Sequence, residues 1–452
     1  MKKMLGAVLL LAAAALAAWP QQPRVRVVTH PTVPNREMLR RMEMDLRWHL
    51  TIPKFDELRD GIFSVQVIPG DVNPQLIVQT FLGEVILVDG ETGTIVWRSQ
   101  LTRVAASGMF PCAYNSHSIY VVRDDLLYIL DRGSGIRLLY TFDPMTKVRS
   151  YFGYALFDNT PPGVKLTTPK PPVAKPTATP VADEDFLFYT AGDRVVSLKV
   201  PNYKVDNELF PIDSDSRRPS VNWILLGQST VKHAPIVTPT QVGIVKVDGT
   251  FQSLEKDREG IRFTFKPAGP VNGPMGVHWV HKGKNREAIA YFGSEDMTLY
   301  AINLFDKREA WRFLSPGPIR RKPYVTDRDV FIKVEKGGFF RVDRTDGKDI
   351  WSNKQALQFM SCNRLFVYTR DAAGSLLIHD YIRGTTMAEW DLRDWGISVP
   401  NELTDRIYLA HNDGQLLCLN NHDYPQPARM KSVPFEMPRV EDPKAKGKAK
   451  GK

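Results

Sequence analysis

The sequence predicts an all-β protein, an eight-bladed β-propeller, or a seven-bladed one if a degenerate copy is misread. Three observations lead there. A strand–turn–strand pattern recurs through the chain with most intervals near 40 residues, the length of a four-stranded blade. Its strands alternate apolar and polar residues, the period of a pleated segment. A large aromatic returns at a fixed place after each turn, and one hairpin cannot bury such a ring alone, so copies must pack side by side.

Two segments precede the first copy. Residues 1–18 read MKKMLGAVLLLAAAALAA: two lysines, an apolar stretch from Leu5 to Leu16, then small residues. This has the form of a signal peptide, 1–17, cleaved after Ala17. The apolar stretch is shorter than the ~20 residues of a spanning helix; an uncleaved anchor is the alternative. No cysteine lies near the cut, so a lipidation site is missing. Export to the periplasm or outside the cell is the expectation. In the N-terminal segment 18–60, Asn35 can cap a short helix through REMLRRMEMD, with Met38, Met42 and Leu46 on one stripe. The period then switches to two at Leu46, Trp48, Leu50 and Ile52. A propeller closes by pairing its two chain ends, which removes exposed edges. This strand, or Phe63–Val67, is expected to join the last blade.

The propeller proper is expected over 61–430. Residues 83–97, GEVILVDGETGTIVW, place Gly93 four residues and Trp97 eight residues after Asp89. Residues 338–351 repeat that spacing with Asp343, Gly347 and Trp351. A third copy has Asn303 and Trp311, with Lys307 in place of the glycine. Weaker copies carry Asp131, Gly135 and Tyr140, the aromatic one residue late, and Asp380, Gly384 and Trp390, two residues late. The Asp can close a strand by accepting from nearby backbone N–H groups, and the Gly supplies a positive φ without steric cost. Long intervals coincide with insertions: a Pro- and Thr-rich loop over 158–185, expected to be extended and exposed, and DSDSRRPS at 213–220. The basic tail, 431–452, is expected to be disordered and ends in KAKGKAKGK, which has no means of burying a face.

The strand–Asp–x3–Gly–x3–Trp pattern, sharpest at 83–97 and 338–351, resembles the repeat of the pyrroloquinoline-quinone (PQQ) β-propeller superfamily. That resemblance implies a PQQ-like fold and one of two functions. Quinoprotein dehydrogenases of the superfamily oxidise alcohols or sugars with PQQ and Ca²⁺. A cofactor-free branch includes the propeller lipoprotein of the outer-membrane barrel assembly machinery. The alcohol dehydrogenases carry an adjacent Cys–Cys pair, whereas Cys112, Cys362 and Cys418 are isolated here. No catalytic, cofactor-binding or metal-binding residues can be assigned, and Trp97, Trp311 and Trp351 are read as structural. The expectation is a non-catalytic scaffold of the cell envelope without a cofactor; the alternative is a PQQ- and Ca-dependent dehydrogenase.

Charge adds little to this. Of the formal net charge of +10, Lys2 and Lys3 supply two and Lys444, Lys446, Lys448, Lys450 and Lys452 five, leaving a nearly neutral body. A specific nucleic-acid surface is therefore not expected. The tail could make weak, salt-dependent contacts with anionic surfaces. The cysteines read as buried free thiols, with a Cys362–Cys418 bridge as the alternative. His278 and His281 form H-x-x-H on a strand, which separates them to opposite faces. Asp213 and Asp215 resemble the start of a calcium loop but lack its glycine and distal glutamate. Arg320, Arg321 and Lys322 are read as a solvated loop. No hydrolase or phosphate-loop motif occurs. The expected partners are envelope proteins, met by a monomer through loops on one face and the central funnel.

Overall fold

The computed structural model describes residues 30–56, 59–143, 148–156, 175–201, 218–227, 229–282 and 285–432. Residues 1–17, read as a signal peptide, Asp213, Asp215, most of the Pro-rich insertion and the tail from residue 433 lie outside them. Eight four-stranded antiparallel sheets form eight blades. From the axis outwards, blade 1 comprises Ile62–Ile68, Gln75–Thr80, Glu84–Asp89 and Ile95–Gln100. Blades 3 to 7 follow the same order, with innermost strands at Val181–Ala182, Ile236–Val237, Gly276–Lys282, Tyr324–Val325 and Gln358–Cys362.

Blade 8 closes the ring. Its inner three strands are Ile397–Val399, Ile407–Ala410 and Gln415–Asn421, and its outer strand is Met44–Thr51 from the other end of the chain. The early strand, not Phe63–Val67, therefore makes the closure, and the segment 18–60 is in part propeller. The helix before it is shorter than expected, Arg36–Arg41. Asn35 does cap it, accepting from the Glu37 N–H at 3.0 Å. The Met38–Met42–Leu46 stripe does not form: the chain turns at Glu43, which has φ 57°. Leu46 is already strand, Met38 is 49% exposed, and Leu39 is the buried helical residue.

The core sits between blades, not within them. Eight hydrophobic clusters each join side chains of two neighbouring blades, one cluster per seam. Cys112, Cys362 and Cys418 lie in three different seams, buried and free, so the Cys362–Cys418 bridge is not made. Burial without a cationic neighbour strong enough to offset it pushes all three thiols up.

The insertion read as 158–185 ends sooner than expected. Thr177 N–H donates to Thr190 O at 2.8 Å, and Val181 pairs with Phe188, so this stretch already belongs to blade 3. Antiparallel winding sorts the connections onto two faces. Interblade segments and the second-to-third strand turns share a loop face. First-to-second and third-to-fourth connections share the opposite, turn face.

Candidate functional site

The repeated residues build the seams. At Asp89 the carboxylate accepts from Glu91 N–H and Thr92 N–H at 2.9 and 2.8 Å, and Gly93 N–H returns to Asp89 O at 2.9 Å. Asp131, Asp343 and Asp380 accept from Ser134, Thr345 and Ile382 N–H in the same way. Asn303 does so with its amide oxygen, accepting from Phe305 and Asp306 N–H. The four Asp turns, though not the Asn303 turn, each receive the indole of the preceding blade. Trp97 Nε1 donates to Arg132 O, Trp311 to Arg344 O and Trp351 to Tyr381 O, at 2.8–2.9 Å. Gly384 shows why glycine is needed there: φ is 70°, and a Cβ would lie 2.4 Å from the Trp351 ring. In the Asn303 turn Lys307 adopts φ 57°. The preceding blade offers Phe263 opposite Ser253, where other blades place the indole.

Two expected aromatics are elsewhere. Tyr140 does not dock on blade 3; it begins an inserted hairpin, Tyr140–Asp143 with Val148–Tyr151, and meets Tyr151 edge-to-face at 5.6 Å. The outer strand of blade 2 resumes only at Tyr154–Ala155. Trp390 is buried but pairs with Leu376, two residues farther along the outer strand from the turn than the docking position, which Ala388 occupies opposite Ile378. Conversely, Trp48 and Trp223 dock like the sharp copies, donating to Gly90 O at 2.8 Å and Lys256 O at 2.9 Å. Sequence spacing hid both. Trp48 precedes its blade by the whole chain, and an insertion parts Trp223 from its turn. The alternation around Trp48, joined to the closure argument, was the signal for the first.

The eight inner strands surround a central channel, and charged groups meet in it. Glu402 of blade 8 pairs with Lys322 of blade 6 at 2.9 Å and with Lys431 of the C-terminal segment. Burial alone would raise the Glu402 pKa, but the two ammonium groups hold it at about 2. Burial lowers Lys431, which Glu402 only partly offsets; at Lys322 the Glu402 charge wins over burial and raises it. Tyr114 of blade 2 and Tyr324 of blade 6 border this cluster, both raised by burial.

The C-terminal segment forms a strap across the turn face. Ala428 N–H donates to Asp405 at 2.8 Å, Met430 N–H to Leu403 O, and Ser432 donates to Asp327 through both N–H and Oγ at 2.8 Å. The first residues of the tail are thus bound at the mouth of the channel. His278, buried in its strand, contacts the same Asp327 at 3.0 Å. Although burial acts to raise it, these donors hold the Asp327 carboxyl at about 2.

Arg320, Arg321 and Lys322 diverge. Arg320 makes a bidentate pair with Glu295 at 2.7 and 2.8 Å, Lys322 enters the channel, and Arg321 borders a small cavity between blades 6 and 7. Among the described residues no three His, Cys, Asp or Glu side chains converge as a metal site would require.

Residues 276–374, blade 5 into blade 7, match a PQQ-repeat family model described as "Outer membrane protein assembly factor BamB". The fold is that of the PQQ-like β-propellers. Among solved structures the chain is similar to BamB from Moraxella catarrhalis, at 14% identity and TM-score 0.54, over 83% of this chain and 97% of that one. It is also similar to the quinohemoprotein alcohol dehydrogenase from Comamonas testosteroni, at 10% identity and TM-score 0.51, over 86% and 78%. A third is the computationally designed protein Ika8, at 11% identity and TM-score 0.50, over 81% and 98%. Identities this low carry fold alone. No curated protein matches the sequence.

Proposed function

We propose that this PQQ-like propeller is a non-catalytic scaffold of the cell envelope, exported by its N-terminal signal and binding other proteins through its two faces. The observation that carries this reading is the channel. The charged groups that meet there, Lys322, Glu402 and Lys431, are bound to one another, and a strap crosses one mouth. What a partner meets is the rigid ring of turns and interblade loops. The likeness to a protein described as an outer membrane protein assembly factor supports the envelope setting.

The likeness to a quinohemoprotein dehydrogenase favours a second reading, oxidation of an alcohol with PQQ and Ca²⁺. Calcium takes six to eight oxygen ligands, with carboxylates prominent. Glu402, between two ammonium groups, is a poor ligand for it. The cavity beside Arg321, about 100 Å³, is below the ~300–1,000 Å³ of typical cofactor and ligand sites. These residues do not fit the cofactor, which supports the scaffold. The test is equilibrium dialysis of the full chain with PQQ and Ca²⁺. The scaffold reading expects no stoichiometric uptake; a bound quinone at one per chain would replace it with the dehydrogenase.

A further inference from the structure

Between blades 6 and 7, a cavity of about 100 Å³ lies toward the loop face. Arg321 and Lys322 reach it from the segment entering blade 6, Lys333 from the second strand, and Gln358 and Phe359 from the inner strand of blade 7. Three cations line it and no carboxylate does. Lys322 is neutralised from the channel side by Glu402. Neither Arg321 nor Lys333 has an ion pair among the described residues. Burial lowers the Lys333 pKa; Glu335 outside the cavity opposes this and Arg321 adds to it. Arg321 is exposed and Lys333 half-buried, and like charges held side by side repel one another unless an anion completes them.

The floor is apolar. Tyr324 stacks on Phe359 with ring centres 5.2 Å apart and planes 26° from parallel. Guanidinium and ammonium donors above an aromatic floor suit an anion with carbon directly behind it. A carboxylate on a short aliphatic stem meets that description. A phosphate, with three hydrated oxygens, would press polar surface on the rings. Ser432, the last described residue, is held to Asp327 on the opposite face.

We infer that this cavity is a receptor for one carboxylate of a protein partner, an acidic side chain or a chain terminus, gripped by Arg321 and Lys333. The partner class rests on the scaffold reading; the site itself does not. Arg321 supplies the planar fork that takes both carboxylate oxygens, and Lys333 the point charge beside it.

The test is a titration of the full chain followed by amide and guanidinium NMR. The probes are N-acetylglutamate amide, a dipeptide with a free C-terminus, their uncharged glutamine and amide counterparts, and inorganic phosphate. Either carboxylate probe should shift the Arg321 Nε–H and the Gln358 amide saturably, and the tighter one names the source. The uncharged counterparts should leave both signals in place. In the Arg321→Gln, Lys333→Gln double variant affinity should fall about tenfold or more, with the indole Nε1–H signals of the seams unmoved as evidence that the fold is intact. Equal shifts from an uncharged probe, undiminished binding to the double variant, or tighter binding of phosphate would each overturn the assignment. Fragment binding without any envelope partner would retain the site and retire the scaffold.

Discussion

Seam 6/7 and seam 2/3 join neighbouring blades by different means. At seam 6/7, Trp351 docks on the turn at Tyr381 and Gly384. Below it Arg341 pairs with Asp329 at 2.9 Å and stacks 3.6 Å from the Tyr381 ring, while Tyr381 donates to Asp329 at 2.6 Å. Burial raises the Asp329 pKa despite those partners. At seam 2/3 no indole docks among the described residues. A cluster of aliphatic side chains, including Leu127, Leu156, Leu187 and Leu198, with Tyr120 and Tyr189 fills the space, and Asn115 reaches across to Asp183 O at 3.0 Å. The inserted hairpin and both long insertions flank this side of the ring. A latch needs its aromatic at one register position of the outer strand, not at a fixed sequence distance: Trp223 keeps that position, opposite Ser197, after an insertion. At seam 2/3 the inserted hairpin enters the outer strand itself, and the position is lost.

The widest separation should come from the latch itself. Trp351→Ala is expected to cost about 3–5 kcal/mol by urea unfolding, against under about 1 kcal/mol for Tyr140→Ala, whose ring meets Tyr151 in the inserted hairpin instead of docking across a seam. Similar losses would mean that the indole is one core side chain among many. Gly384→Ala should follow at about 2–4 kcal/mol, since it adds left-handed strain and a clash with the Trp351 ring. Gly192, with φ 67° and no atom within 4 Å of its absent Cβ, isolates the strain, and Gly192→Ala should cost about 1 kcal/mol.

The strap adds an effect that depends on pH. The Glu402 carboxyl is held below its unfolded value, so its contribution is complete above about pH 4.5 and is lost as pH falls toward about 2. Allowing for the open channel, that loss is about 2 kcal/mol. Lys431→Met should shrink this acid-dependent step while leaving the Trp351 latch unaffected. An unchanged step in stability-versus-pH curves would remove Lys431 from the account.

Spacing made the latches of blades 1, 5 and 6 legible because turn and indole there lie within one hairpin of sequence. It misplaced Tyr140, since a hairpin can enter an outer strand without changing the turn before it. It read Trp390 as a late latch because aromatic identity does not reveal register along the outer strand. Trp48 and Trp223 were out of reach of any local pattern. The channel was less legible still. Lys322, Glu402 and Lys431 are far apart in sequence, and only the closed ring brings their charges together.

The most direct test of the scaffold is site-specific photo-crosslinking in the native host. A photoreactive side chain would be placed at Val104 and Lys336 on the loop face, Ile382 on the turn face and Val96 on an outer strand, all exposed. The account predicts a discrete heavier adduct with the same envelope protein from positions on one face, and none from Val96. No adduct from either face, together with quinone uptake by the purified chain, would contradict it.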